Sequence, residues 1–419
     1  MSEGPESLGR PRRVIIVGGG AAGFFAAITC AETSPDTEVL VLEKTAQFLS
    51  KVRISGGGRC NVTNACRDPR ELSQKYPRGG VALVGPLTRF GTTETVAWFE
   101  EHGVPLKTEP DGRMFPSSNT SQTIIDCLLG TANRARVRLL ADTPVAGVER
   151  VGAGFLLRQP GGQTLTCDRL MLATGGCRAA AAGQMAVSLG HTLVPPVPSL
   201  FTFEIKVPWL NDLAGISVPE AQVSAPELEL KADGPLLLTH TGLSGPAVLR
   251  LSAWGAREMH ERNYSFPLRV NWLPQWSEER AAAELESRRA AQPARRLSNT
   301  PLPPLPTRLW ERLVEQASIP RETRLADLSR AARHRLLQQL ARTELVVTGK
   351  SLNRDEFVTC GGVRLSEVNF KNMESRICPG LFFGGELLDV DGLTGGYNFQ
   401  SAWTTGWLAG HGLAASLGC

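Results

Sequence analysis

Residues 13–44 read RVIIVGGGAAGFFAAITCAETSPDTEVLVLEK, and this stretch decides the fold. Residues 14–17 are a short apolar run of the kind that forms a parallel strand buried on both faces. Gly18, Gly20 and Gly23 follow at G-x-G-x-x-G spacing, and residues 21–31 carry a helical pattern. A second apolar run at 39–42 delivers Glu43, 20 residues after Gly23. In such a strand–turn–helix the first glycine makes the tight turn, the second lets the backbone approach a pyrophosphate, and the third packs helix on strand. The helix N-terminus then turns free N–H groups and a partial positive charge toward the phosphates. An acid closing the second strand is placed for ribose hydroxyls. The expectation is a dinucleotide site opening an α/β fold.

The same stretch has a second reading. Residues 14–31 are 18 uncharged residues behind Arg12 and Arg13, the composition of a signal peptide or a membrane span. The glycine cluster argues against both, because cleavage near Cys30 would destroy the nucleotide fold. The expectation is a cytoplasmic protein with no membrane partner. Nine cysteines without a C-x-x-C pair point away from a disulfide framework and fit a reducing compartment. Six scattered histidines supply no metal-ligand pair, so no metal is expected.

A chain of 419 residues has room for two or three domains. Residues 1–11 read as a disordered leader and the nucleotide fold as 12–195, with 166–172 another apolar strand ending in Ala173-Thr174-Gly175-Gly176. Pro195, Pro196 and Pro198 mark a boundary. Strand-like pieces from about 200 to 273 (FTFEIKV, ELELKA, GPLLLTH and YSFPLRVNW) indicate a small β domain, residues 196–276. Residues 277–342 turn helical around a Pro-rich linker, and strand signals return at 344–348. The helices therefore read as an insert in a β domain that closes at 343–355. Glycine-rich α/β character resumes at 356–419, so the nucleotide domain is discontinuous.

Net charge is only +4, yet residues 280–354 hold fifteen Arg or Lys against seven Asp or Glu. Arg288, Arg289, Arg295, Arg296, Arg333 and Arg335 are candidates for a face that tracks RNA phosphates. The competing explanation is base composition, since the chain has 37 Arg and only 8 Lys.

Two further motifs carry chemistry. In KVRISGGGRCNVTNAC, residues 51–66, three successive glycines allow backbone N–H groups to press against a planar or anionic ligand. Arg59, Asn61, Thr63 and Asn64 add donors and acceptors. In GLFFGGELLDVDGLTGGYNFQ, residues 380–400, a strand at 381–383 feeds Gly384-Gly385-Glu386, then Asp389 and Asp391, then Gly395-Gly396 before a helix starting at Tyr397. The acid there suits a ribityl chain, and the helix N-terminus suits the N1 and O2 locus of a reduced flavin.

Together SGGGRCNVTN, ATGG, VTCGGV, MES followed by a basic residue, and GELLDVDGLTGGYNFQ resemble the BaiN/RdsA-type FAD-dependent flavoproteins, the aminoacetone-oxidase-family FAD-binding enzymes. The resemblance spans residues 12–410. It implies a Rossmann-like FAD-binding domain split across both ends, an inserted β-barrel domain, and a helical domain within that insert. It implies that Gly18, Gly20, Gly23, Glu43, Lys44, Lys51, Gly57, Arg59, Asn61 and Thr63 surround FAD, with Ala22, Ala173 and Thr174 beside them. Gly175, Gly385, Glu386, Asp389, Asn398 and Gln400 join them. Arg376 replaces the family's usual lysine after MES, and Cys360 occupies VT-x-GGV.

The implied activity is reduction of an activated C=C bond, in uracil of large-subunit ribosomal RNA to give dihydrouridine or in a small enone. Only one G-x-G-x-x-G is present, so NAD(P)H is expected as a transient reductant rather than a resident one. Candidate proton donors are His240, in LLLTHTGLSGPAV, and Cys60, with Tyr397 a third. Arg113 and Phe115 read as a polar loop at a substrate entrance. The competing functions are a flavin oxidase of a small amine and a flavin-binding protein without turnover.

Overall fold

The computed structural model describes residues 11–177, 180–351 and 358–418. All but residue 11 of the expected leader lies outside them. The chain forms two compact units, one running to Val197 and resuming at Val358, the other beginning at Pro198.

The first unit is built on β1 (Arg13–Val17), α1 (Ala21–Thr33), β2 (Glu38–Leu42), α2 (Ser50–Gly58), β3 (Arg138–Leu140), β4 (Arg169–Leu172), β5 (Leu381–Phe383) and α3 (Tyr397–Ser416). Five parallel strands lie in the order β5-β4-β1-β2-β3, and two short antiparallel strands, Val368–Asn369 and Glu374–Ser375, extend the β5 edge. Ile16 stands opposite Val41 on one side and Met171 on the other. Strands β1, β2, β4 and β5 are buried over nearly their whole length, which is why their sequences are continuously apolar rather than alternating.

Helix α1 is buried from Ala22 to Ala31, and α3 covers it. The seam is close because α3 presents glycines one turn apart. A Cβ on Gly406 would lie 2.5 Å from the Ala22 carbonyl oxygen, and one on Gly410 would lie 2.6 Å from the Thr29 Cβ. Phe25 fills the end of this seam between Phe99 and Trp403, and burying such a ring contributes about 1.5–3 kcal/mol.

Several local readings need correction. The stretch 166–172 is two strands: Thr164–Cys167 belongs to a separate antiparallel sheet with Gly147–Val151 and Gly154–Arg158, and the chain crosses at Asp168 into β4. Asp168 makes the crossing by accepting the Arg13 N–H at 2.7 Å. The proline cluster lies where the two units divide, and it does so inside the strand Leu193–Ser199, which among the described residues pairs only with Val358–Val363, so the missing N–H groups cost little. Arg113 and Phe115 are not in a loop. They lie in the strand Arg113–Pro116, the centre of a three-stranded sheet with Thr63–Asn64 and Leu106–Thr108, and Phe115 is fully buried.

The second unit holds a seven-stranded antiparallel sheet in the order Thr343–Val347, Phe266–Asn271, Ser217–Ala225, Leu230–Leu238, Gly242–Ser244, Thr202–Glu204 and Gly349–Ser351. Its first and last strands are separated by Thr348 alone, so the sheet rolls round until its two edges meet, as a barrel does. Two helices, Pro246–Trp254 and Ala256–Glu261, occupy a stretch that reads as strands and turns. Helices Glu278–Ala291, Thr307–Gln316 and Arg330–Ala341 follow. Their buried Leu285, Trp310, Leu313 and Leu336 share one core with Phe203, Val223 and Leu268 of the sheet.

Candidate active site

The carboxyl ends of β1, β2, β4 and β5 open on one edge of the parallel sheet, where ligands bind in open α/β folds. Three glycines at the β1–α1 turn divide the work there. Gly18 has φ +116° and donates to the Leu42 carbonyl at 2.8 Å, while a Cβ on it would lie 2.3 Å from the Ala173 oxygen. A Cβ on Gly23 would lie 2.0 Å from the Gly18 oxygen. Gly20, the residue that caps α1, has no atom within 4 Å of its Cβ direction and no capping side chain. The N-terminus of α1 thus has no capping side chain and open space beside Gly20, which suits a pyrophosphate.

Glu43 ends β2 and folds back on this turn. One carboxylate oxygen accepts the Gly19 N–H at 3.0 Å, and the other accepts from Thr45 at 3.0 Å (N–H) and 2.9 Å (hydroxyl). Gly19 went unnoticed between the motif glycines, yet its N–H orients the acid. Lys44 is exposed beside it.

The loops after β4 and β5 meet next to Ala22. Ala173 is buried, Gly175 has φ +76° with open space at its Cβ, and the Thr174 hydroxyl is buried with no hydrogen-bond partner among the described residues. A buried hydroxyl left unpaired costs about 1–3 kcal/mol, which an incoming polar group would recover. A Cβ on Gly385 would lie 3.0 Å from that of Ala22. Glu386 accepts the Thr359 N–H at 2.8 Å through one oxygen and pairs with Lys51 through the other. Thr359 belongs to VTCGGV, and no local pattern marked it. Burial, and then the charge of Glu386, push the neighbouring Cys177 thiol up to about 12.

Segment α2 is helical to Ile54 and then enters left-handed backbone at Gly56 (φ +57°) and Gly57 (φ +67°). Arg59 follows, bonded to Glu109 at 2.6 Å with its guanidinium 4.0 Å above the Phe115 ring. Arg113 takes the other Glu109 oxygen at 3.1 Å. The Asn61 amide lies between the Gly396 N–H (2.9 Å) and the Thr63 carbonyl (3.0 Å). Asn398 clasps Gly392, accepting its N–H at 2.8 Å and donating to its carbonyl at 2.9 Å. The Asp389 N–H donates to Val363 at 3.1 Å. Asp391 is fully buried in an ion pair with Arg78, which sequence reading did not find.

Three expected site residues are closed off from any ligand. Thr63 and Gln400 are fully buried and bonded to each other at 2.5 Å, with Gln400 also donating to Thr95 at 2.9 Å. With no exposed surface they position backbone rather than touch a ligand. Cys60 is fully buried at φ +61°, with no surface to offer a substrate, and burial pushes its thiol up to about 12. His240 lies exposed in the bend between Leu230–Leu238 and Gly242–Ser244 of the second unit.

The expected basic face is also rearranged. Arg288 donates to the Thr300 and Pro301 carbonyls at 3.0 and 2.9 Å, Arg289 to Ala326 at 2.9 Å, Arg295 to Asn299 at 3.0 Å and Arg335 to Ala317 at 2.9 Å. Arg333 pairs with Glu286. These five hold the helices together. Of the six only Arg296 is without an acceptor among the described residues.

Residues 12–412 match the model of the HI0933-like protein Rossmann domain. The chain belongs to this FAD-binding family, the one its motifs resemble. It is 32% identical over 412 residues to a ribosomal RNA dihydrouridine synthase of Escherichia coli, covering 96% of this chain and 98% of that one. It is 30% identical over 411 residues to a 3-dehydro-bile acid delta(4,6)-reductase of Clostridium scindens, covering 96% and 99%. Among solved structures, a 3-ketosteroid-delta4-(5alpha)-dehydrogenase from Rhodococcus jostii aligns with TM-score 0.50 at 17% identity over 98% of each chain. A 3-ketosteroid delta1-dehydrogenase from Sterolibacterium denitrificans aligns with TM-score 0.51 at 12% identity over 96% of this chain and 99% of that one. At such identities the likeness is one of fold. No helix among the described residues of this HI0933-like protein is long and apolar enough to cross a membrane.

Proposed function

We propose that this member of an FAD-dependent oxidoreductase family reduces the C5=C6 bond of uracil in large-subunit ribosomal RNA, acting in the cytoplasm with NAD(P)H as a visiting reductant. The observation that carries the oxidoreductase reading is the open corner at Gly20, which caps α1 without a capping side chain and adjoins Glu43 held by the Gly19 N–H. Bound there, FAD supplies a hydride donor.

The chain's own residues do the rest. The first turn of α1 holds the pyrophosphate. Glu43, kept in place by Gly19 and Thr45, retains lone pairs for ribose hydroxyls. Thr174 donates its unpaired hydroxyl, and Asp389 takes the ribityl chain. Arg59, fixed over Phe115, and the Gly57 turn close the ring side. The α3 N-terminus places its dipole where negative charge develops.

The choice of uracil rests on the two relatives named ribosomal RNA dihydrouridine synthase. A small enone is the second reading, favoured by the bile acid reductase at similar identity. Both substrates present a C=C bond conjugated to a carbonyl. Nucleoside mass spectrometry of large-subunit ribosomal RNA from a strain lacking the gene tests the choice. Loss of dihydrouridine supports it, and an unchanged level moves the assignment to the enone.

A further inference from the structure

Two segments of the second unit, 293–297 and 323–326, run antiparallel as a short ribbon. Leu297 donates to the Thr323 carbonyl at 2.9 Å, and Leu325 donates to the Arg295 carbonyl at 2.9 Å. These bonds flank Arg296 and Arg324, which stand directly opposite each other. The pair is of the non-hydrogen-bonded kind, in which the Cα atoms approach to about 4.5 Å and the side chains leave on the same face. Both arginines are exposed, and among the described residues neither guanidinium has an acceptor.

Like charges directly opposite on a ribbon are destabilising. Several arginines of this unit end on carbonyls or carboxylates, as Arg288, Arg312 and Arg335 do, while Arg330 and Arg342 share the lack of an acceptor among the described residues. The acids nearest in sequence, Glu322 and Asp327, are exposed and make no ion pair with either arginine. The arrangement leaves two forked donors side by side with repulsion between them, which an anion placed between them would reverse.

We propose that Arg296 and Arg324 form a clamp for a phosphodiester group of the RNA substrate. This rests on the RNA reading given above. It replaces the six-arginine face suggested by sequence with two residues, only one of which was in that set.

The test uses the FAD-loaded full chain and a labelled single-stranded oligonucleotide of large-subunit ribosomal RNA sequence, titrated at several salt concentrations. Each phosphate contact contributes roughly 0.7 to the slope of log K against log salt for single strands. The R296Q/R324Q variant is therefore expected to bind more weakly and to flatten the slope by about 0.7, the one phosphate held by the pair. R296K/R324K, which keeps both charges, should retain the parent's slope, and the flavin absorbance of both variants should match the parent. If the parent binds and R296Q/R324Q binds with the same affinity and slope, the clamp is wrong and the RNA reading stands. If the parent binds no RNA, both fall.

Discussion

Lys51 and Glu386 lie 335 residues apart in the chain and form an ion pair. Lys51 follows the second strand of the parallel sheet and Glu386 follows the last, so the contact joins the early and late halves of the cofactor unit at the sheet's open edge. The two partners are not equivalent. Lys51 is 58% exposed, whereas Glu386 is 18% exposed and also accepts the Thr359 N–H.

Replacing Lys51 with Met should change stability by no more than about 0–1 kcal/mol, since an exposed partner is well screened. Glu386→Ala strands the Thr359 N–H as well and should cost about 1–3 kcal/mol. Urea titration of both variants checks the asymmetry, and equal losses would remove the argument.

Gly20 and Gly23 should respond in opposite ways. Gly20→Val meets no protein atom and should leave the thermal midpoint of the FAD-free protein close to the parent's, while the purified protein turns colourless. Gly23→Ala forces a methyl against the Gly18 carbonyl and should destabilise the chain itself by about 1–3 kcal/mol. Full FAD occupancy in Gly20→Val would overturn the placement of the pyrophosphate.

Gly410→Val should loosen the seam between α1 and α3. The added Cβ meets Thr29 and the Ala26 carbonyl, and the expected cost is about 1–3 kcal/mol with weaker FAD retention because α1 carries the phosphate corner. Chemical denaturation and the flavin absorbance of the purified variant measure the two effects.

His191 sets a pH dependence of stability. It is buried between Glu367 (3.2 Å) and Ser375 (2.8 Å), and burial holds its pKa below the ordinary 6.5 despite the carboxylate. The unfolded chain then binds the proton more readily than the folded one, so this contribution is complete above 6.5 and is lost as pH falls below it. Glu367 has a lowered pKa, owed to bonds from Thr192 and to His191 against the opposing effect of burial, and its contribution is lost only at more acidic pH, below 4.5. His191→Gln should flatten the first decline in thermal midpoint and weaken the second without removing it, because Glu367 keeps its bonds from Thr192. A parent curve that is level just below 6.5 would contradict this.

Cys60→Ala should keep turnover at the parent's level, and the native protein should not be alkylated at Cys60 while FAD-loaded, because its thiol is buried and pushed up to about 12. A large loss of turnover with intact FAD binding would return Cys60 to the chemistry.

What could be read from sequence was local. The run from Arg13 to Glu43 announces itself because strand, turn and helix are contiguous and each glycine has a fixed purpose. The strand Leu381–Phe383 and the helix at Tyr397 were legible for the same reason. Thr63 and Gln400 were not, because the same polar side chains serve a ligand or each other, and only the fold brings residues 337 apart to 2.5 Å. Arg113 looked like loop because charge dominates its neighbourhood, while the pairing of Met114 with Thr63 makes it strand. The helix Pro246–Trp254 did carry a start signal, Gly245-Pro246, which the surrounding strands obscured. The arginines of the helices were miscounted as surface charge because the carbonyls that receive them lie in other turns.

The packing of α3 over α1 also sets an order of events during synthesis. The first helix emerges before its covering partner, with the whole second unit made between them. Until residues 397–416 leave the ribosome, the apolar faces of Phe25 and Ala26 have no glycine-lined seam to enter. The second unit, continuous from Pro198, is free to fold first, so the discontinuous unit is completed after the one inserted into it. Nascent chains stalled before residue 381 should therefore resist proteolysis in the second unit and be cut in α1, and the cofactor corner should become protected only once residues 397–416 have emerged.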